Sequence, residues 1–375
     1  MKPRLSRGRA FRAIRVAATI GAIAAGLGCG QTAYGQQEPL RAQGVSSEEE
    51  QELQRGIELT RRGMFAEAIP LFLAARGRSQ DPYALEFNLA LCYVGTRRAA
   101  EAIPILEKLR GERHDTAPVE NLLAQALVLN GQKDQAWNAI TRAAELAPEN
   151  EKMYAFVADA CTEQREFEFG LRVVALGLQR LPASARLHYQ KGYFLARLDR
   201  LDEGTKEFDL ARDLAPRSEI AVLAETQKSF YAGNLAETIR IGRAAARESR
   251  ANDLVLAILG DALLREGATP GQAEFVEAET ALRKSVERRP GNASAQVSLG
   301  YLLLMKDQLD EALMHLERGR GLDPASPAVY RHLSALYRKR GDSTRADEML
   351  AMLAKLNVDE AARIYSAPGE RKPVP

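Results

Sequence analysis

The chain has 375 residues, with 52 Lys+Arg against 50 Asp+Glu and 46% hydrophobic but only 6% aromatic side chains. That length exceeds what one compact core organises, which leaves several domains or one elongated repeat array. Alanine, leucine, arginine and glutamate dominate, a helix-forming composition.

The first 35 residues read as a secretory leader. Lys2, Arg4, Arg7, Arg9, Arg12 and Arg15 precede the apolar run Val16–Leu27, and small residues follow at Ala33 and Gly35. A basic region, a short apolar core and a small-x-small site make a signal peptide, with the cut expected between Gly35 and Gln36. The run is too short to span a bilayer, which takes about 20 residues. Two alternatives stand beside cleavage. Val16–Gln37 carries no charge, which suits an uncleaved anchor, and Ala25–Cys29 is similar to a bacterial lipoprotein signal, in which Cys29 would be lipidated. That motif has leucine where Gly26 stands.

The leader carries six of the 52 basic residues and no acid, so residues 36–375 hold 46 basic and 50 acidic side chains. A surface that is net acidic does not attract phosphate, and no nucleic-acid partner is expected. Residues 36–48 form a polar linker.

From residue 49 the chain rhymes with itself. Gly63–Ala75, Gly131–Pro148 and Asp307–Pro324 share one apolar pattern, and each follows another apolar-periodic stretch such as Asn121–Asn130 or Val297–Met305. The unit is two helices and a tight turn, with a period of 34 residues. Nine units result: 49–82, 83–116, 117–150, 151–184, 185–218, 219–252, 253–292, 293–326 and 327–360. Their eighth positions read Gly56, Ala90, Ala124, Ala158, Gly192, Thr226, Gly260, Gly300 and Ser334. Their twentieth positions read Ala68, Ala102, Ala136, Gly170, Gly204, Thr238, Ala278, Ala312 and Ala346. Small residues throughout both columns predict that the two helices of a unit cross there. Pro148, Pro182, Pro216, Pro290 and Pro324 close second helices.

These columns resemble the tetratricopeptide repeat family, here in an exported bacterial form, over nearly the whole chain after the leader. The resemblance implies an all-α, right-handed superhelical solenoid whose first helices line the concave face. Lys191 and Glu225 depart from it, standing where the family prefers leucine.

Unit 7 is 40 residues long, six more than the others, with the insertion placed near 268–273. Thr269-Pro270-Gly271-Gln272 reads as a helix start, with threonine as N-cap and proline at the first helical position, so the second helix is predicted to begin about one turn early. Asn357–Ser366 completes the last helix, and 361–375 covers its end and a flexible tail. Cys92 and Cys161 fall inside helices and read as small buried apolar side chains rather than a disulfide.

No chemistry declares itself. His114, His188, His315 and His332 form no i, i+4 pair and no H-E-x-x-H; the glycines at 267 and 271 come without a phosphate-loop lysine; G-x-S-x-G is absent. No catalytic residue, metal or cofactor is predicted.

The resemblance puts the second, fifth, ninth, twelfth and thirteenth positions of each unit on the concave groove. In units 3 to 5 these give Asn121, Gln125, Lys152, Asp159, Arg186, Tyr189, Tyr193 and Arg197, amides and tyrosines suited to an extended peptide. In units 1 and 2 they give Leu53, Ile57, Phe87 and Leu91, a second, apolar groove. The lysine, asparagine and arginine set that grips chaperone tails is missing, since Leu53 and Ile57 hold its first two places. The expectation is a non-enzymatic scaffold or adaptor of the bacterial cell envelope, periplasmic or an outer-membrane lipoprotein, with a protein or peptide partner. Membrane contact enters only through a lipid anchor or an uncleaved leader. The alternatives are a lipid-anchored or self-associating assembly factor and an accessory subunit of an enzyme complex.

Overall fold

The computed structural model describes residues 48–79, 81–112 and 114–366; the leader, Cys29, the linker up to residue 47 and the tail from residue 367 lie outside the described residues. Among the described residues there are eighteen helices and no strand. They come in nine consecutive pairs: α1 (Glu48–Arg61) with α2 (Phe65–Ala75), α3 (Pro82–Gly95) with α4 (Ala99–Gly111), α5 (Ala117–Leu129) with α6 (Lys133–Leu146), α7 (Glu151–Glu163) with α8 (Phe167–Arg180), and α9 (Ala185–Arg197) with α10 (Leu201–Leu214). Then follow α11 (Glu219–Tyr231) with α12 (Leu235–Arg247), α13 (Asp253–Arg265) with α14 (Ala273–Arg288), α15 (Ala293–Met305) with α16 (Leu309–Leu322), and α17 (Pro327–Lys339) with the longer α18 (Ser343–Ser366).

One local device stops every first helix at the same place. The fifteenth residue of each unit has positive φ: Gly63, Arg97, Gly131, Arg165, Asp199, Gly233, Gly267, Asp307 and Gly341. Its amide bonds back to the carbonyl three residues earlier, and the next amide reaches the carbonyl five residues back, as in Arg97 N to Val94 O at 3.0 Å and Arg98 N to Tyr93 O at 2.8 Å. This left-handed cap satisfies carbonyls the helix end would otherwise orphan. Glycine adopts it freely; an arginine or aspartate there costs about 1–2 kcal/mol. The second helices α6, α8, α10, α14 and α16 all end two residues before a proline.

The two small-residue columns meet at the helix crossings. A Cβ on Gly300 would sit 2.7 Å from Leu316 and 3.2 Å from the carbonyl oxygen of Ala312, and one on Gly260 would sit 2.5 Å from Leu282 and 3.2 Å from that of Ala278. Between units, each first helix touches the first helix of the next unit, whereas second helices do so appreciably only at α6 and α8. First helices are therefore the closer-packed layer and form the inside of the curve, as stacked repeats require.

The buried apolar core divides near α9. One cluster runs from Leu53 to Phe194 and the other from Tyr189 to Ala346, with Tyr193 packed on both. Lys191, which departs from the leucine pattern, lies at this junction and pairs with Glu207 at 2.6 Å.

The extra residues of unit 7 enter one position later than the sequence suggested. Ala268 N bonds to Leu263 O at 3.1 Å and Ala268 is 6% exposed, so it fills the place that Gln308 fills in unit 8, with its amide on Leu303 O. The six additional residues are thus Thr269 to Glu274. Thr269 does not cap a helix: Thr269–Gln272 closes a turn, Gln272 Oε1 accepts from Thr269 N at 2.8 Å, and α14 starts at Ala273 with Gln272 at its N-cap. The early start amounts to two residues, about half a turn rather than a whole one.

Candidate binding face on the first helices

The inner rows of units 3 to 5 form a hydrogen-bonded ladder before they form a surface. Asn121 Nδ2 donates to Met153 O at 2.8 Å across the α5–α7 seam, and Gln125 Nε2 donates to Asn121 Oδ1 at 2.8 Å. At the α7–α9 seam, Gln190 Nε2 donates to Ala155 O at 3.1 Å and Asp159 Oδ1 at 2.8 Å, while Arg186 Nη2 reaches Asp159 Oδ2 at 3.4 Å. Buried polar atoms need partners, and for Asn121, Gln190 and Arg186 the partners belong to the neighbouring unit, while Gln125 braces Asn121 from within α5. The amides therefore tie three first helices together.

The expected groove residues divide accordingly. Asn121, Gln125, Asp159 and Tyr189 are buried; Arg186 and Tyr193 are half-buried; Lys152 and Arg197 are exposed. Leu53, Ile57, Phe87 and Leu91 are each at most 1% exposed. The apolar groove expected in units 1 and 2 is core rather than open surface, because adjacent first helices pack closely enough to cover it. What the face presents in unit 5 is an aromatic–guanidinium group. Tyr193 meets Phe167 edge-on at 6.4 Å, and the Arg197 guanidinium lies 5.1 Å from the Phe167 ring centre.

Charge gathers on the same side. Burial pushes the Asp159 carboxyl up to about 6, against the opposing pull of Arg186, Arg289 and the Gln190 hydrogen bond. Arg289, at the C-cap of α14 and 3% exposed, pairs with Asp253 at 3.5 Å. Arg97, on the turn of unit 2, sits 3.5 Å from the buried Glu163 and donates to Leu322 O at 3.3 Å. Arg165, on the turn of unit 4, lies 3.6 Å from Asp323 and donates to Ala325 O at 3.4 Å. Sequence reasoning missed Arg97, Arg165 and Arg289. For Arg97 and Arg165 the available signal was arginine in a turn column where glycine is common.

The histidines are spread through the array. His114 stacks on Tyr83 at 4.1 Å, His188 Nδ1 meets Glu207 at 2.6 Å, His315 Nδ1 meets Gln296 at 2.7 Å, and His332 stacks on Tyr301 at 4.3 Å. Among the described residues no three His, Cys, Asp or Glu side chains converge to hold a metal. Cys92 and Cys161 are free and buried, and burial pushes the Cys92 thiol up to about 12, which keeps it protonated and unreactive. No described helix is long and apolar enough to cross a membrane.

Paired helices crossing at small residues, capped alike and stacked first helix on first helix, define an α-helical repeat solenoid. Residues 59–126 and 271–327 match the tetratricopeptide repeat family. The chain therefore carries tetratricopeptide repeats in these two stretches, and repeats of this kind generally act as protein–protein interaction scaffolds and are typically non-catalytic. Its fold is similar to that of yeast Tom70, at 16% identity over 91% of this chain and 71% of that one, with a TM-score of 0.56. It is similar also to a chain of the APC/C hetero-tetramer Cut9-Hcn1, at 15% identity over 86% of this chain, with a TM-score of 0.50; this chain spans 64% of that one's length. A monomeric mutant of IFIT1 with m7Gppp-AAAA gives 14% identity over 87% of this chain and 81% of that one, with a TM-score of 0.52. At such identities these likenesses speak for the fold. No curated protein matches the chain.

Proposed function

We propose that the array is a protein-binding scaffold of the bacterial cell envelope that takes a peptide or protein segment along the inner face of units 3 to 5. The supporting observation is the unit 5 group: half-buried Tyr193 and exposed Arg197, mounted on helices that the Asn121, Gln125 and Gln190 hydrogen bonds hold rigid. Tyrosine and arginine are the side chains that most often dominate binding energy, and a rigid mounting lowers the ordering cost. Lys152 adds an exposed charge one unit earlier. Arg186 and Tyr189 lie beneath as support. Asn121, Gln125 and Asp159 act through packing, by holding the face in shape. The envelope assignment rests on the leader-like residues 1–35, and Cys29 keeps the lipid-anchored alternative in play.

Purified protein and a Lys152→Ala/Tyr193→Ala/Arg197→Ala variant, each used as bait in envelope extract, test the face. The expected result is a partner retained by the first and lost by the second, with far-UV circular dichroism confirming that both keep their helices at the assay temperature. Retention by both removes this face from the proposal. Mass spectrometry of the exported chain tests the address: an N-terminus at Gln36 supports a cleaved periplasmic form, and a diacylglyceryl Cys29 supports the anchored one.

A further inference from the structure

Arg97 and Arg165 occupy left-handed turn positions where most units place glycine, with φ of 61° and 57°. A turn alone is made more cheaply by glycine. What these two residues add is a long guanidinium, and both guanidiniums leave their own units and meet at unit 8. Arg97 donates to the carbonyls of Gly321 and Leu322 at 3.3–3.4 Å. These carbonyls end α16, where no amide of the same helix remains to bond them and where a cation is favoured. Arg165 takes the next residues, Asp323 and Ala325, at 3.6 and 3.4 Å. Glu163, the last residue of α7, pairs with Arg97 at 3.5 Å and so joins unit 4 to the same group. The partners are 224 and 160 residues apart in the chain for the first contact of each arginine with a carbonyl.

We propose that Arg97 and Arg165 form a clasp that closes the superhelix of units 2 to 8 on itself, and that its opening admits a partner to the inner face. The gating half of this statement rests on the binding function proposed above; the clasp itself does not. Arg97 and Arg165 side chains are 36% and 20% exposed, so the contacts are partly screened by salt. A partner's own charged groups can compete for them.

The test measures distance and needs no partner, so its failure is distinct from failure of the binding proposal. Fluorophores are placed on exposed helical positions of units 2 and 8, in a Cys29→Ser, Glu101→Cys, Arg318→Cys chain; the native Cys92 and Cys161 are buried and stay unlabelled. The comparison chain also carries Arg97→Gly and Arg165→Gly, which keep the left-handed turns and remove only the side chains. Far-UV circular dichroism confirms that both chains retain their helices. The expected result is a short distance in the first chain at low salt that lengthens as salt is raised, and a long distance at every salt in the glycine chain. Equal distances in the two chains, or a salt-indifferent distance in the first, overturn the clasp.

Discussion

A Cβ placed on Gly204 would stand 2.9 Å from the carbonyl oxygen of Gly192, backbone against backbone. The two glycines are the eighth and twentieth residues of unit 5, and α9 and α10 cross where they meet. Backbone cannot swing aside as a side chain does. Gly204→Val is therefore expected to lose about 1–3 kcal/mol in spite of the better helix propensity of the new residue. Gly111, at the end of α4, has open space around its Cβ position. Gly111→Ala is expected to hold or slightly raise stability. Chemical denaturation of the two variants beside the parent decides the matter.

Asn121 is expected to matter through stability. Asn121→Ala leaves the buried Gln125 Nε2 without its acceptor and removes the side-chain donor that Met153 O receives across the α5–α7 seam. A lost buried partner costs about 1–3 kcal/mol. Gln125→Ala and the double variant complete a thermodynamic cycle, in which a coupling of about 0.5 kcal/mol or more is expected for residues in direct contact. A coupling of zero would deny the ladder.

Asp159 sets a pH signature. Its folded pKa of about 6 stands above the ordinary 3.8. Its contribution to stability is therefore fully present below pH 4 and is lost as pH rises from there through 6. The stability of the parent minus that of Asp159→Asn is expected to fall by on the order of 2 kcal/mol between pH 4 and pH 7. His332 works in the other direction, since burial lowers it from 6.5 to about 4. Its contribution holds above 6.5 and is lost as pH falls towards 4. His332→Phe keeps a ring against Tyr301 and is expected to melt with less acid sensitivity than the parent. Thermal melts across pH 4–7 follow both groups.

Excision of Thr269–Glu274 is expected to leave unfolding within about 0.5 kcal/mol of the parent, the range of surface changes that touch no special feature. The segment is exposed, and removing it joins Ala268 directly to Phe275, restoring the spacing of the other units. A large loss would mean that the turn closed by Gln272 supports its neighbours, and urea titration of the shortened chain reads this directly.

The stacking was legible in the sequence and much of the candidate face was not, for one physical reason. Gly56 over Phe72, or Gly300 over Ala312, is a contact inside one hairpin, so each unit writes the same requirement into the same column. Whether Leu53 or Asn121 meets water depends instead on how tightly successive first helices close, a property summed over many units and written in no single column. The clasp lies further still from local reading. Arg97 and Arg165 look like lapses from a glycine column until unit 8 is brought round to meet them. The insertion was located to within one residue, because its neighbours obey the columns, but its conformation was misjudged. The Thr269 amide turns back to Gln272, which makes a separate turn out of what resembled a helix start.

The place of those six residues has a consequence for the geometry of the whole spiral. They enter between α13 and α14, inside a hairpin, and the joint from α14 to α15 keeps the hydrogen bonds of the joint from α16 to α17: Arg289 N to Ser285 O and Asn292 N to Arg289 O, as Asp323 N to Gly319 O and Ser326 N to Asp323 O. The same six residues between α14 and α15 would add their rotation to everything downstream. Asp323 and the end of α16 would then swing out of phase with Arg165 and Arg97, more than 150 residues earlier in the chain. Length can vary in this protein at one kind of joint and must be conserved at the other.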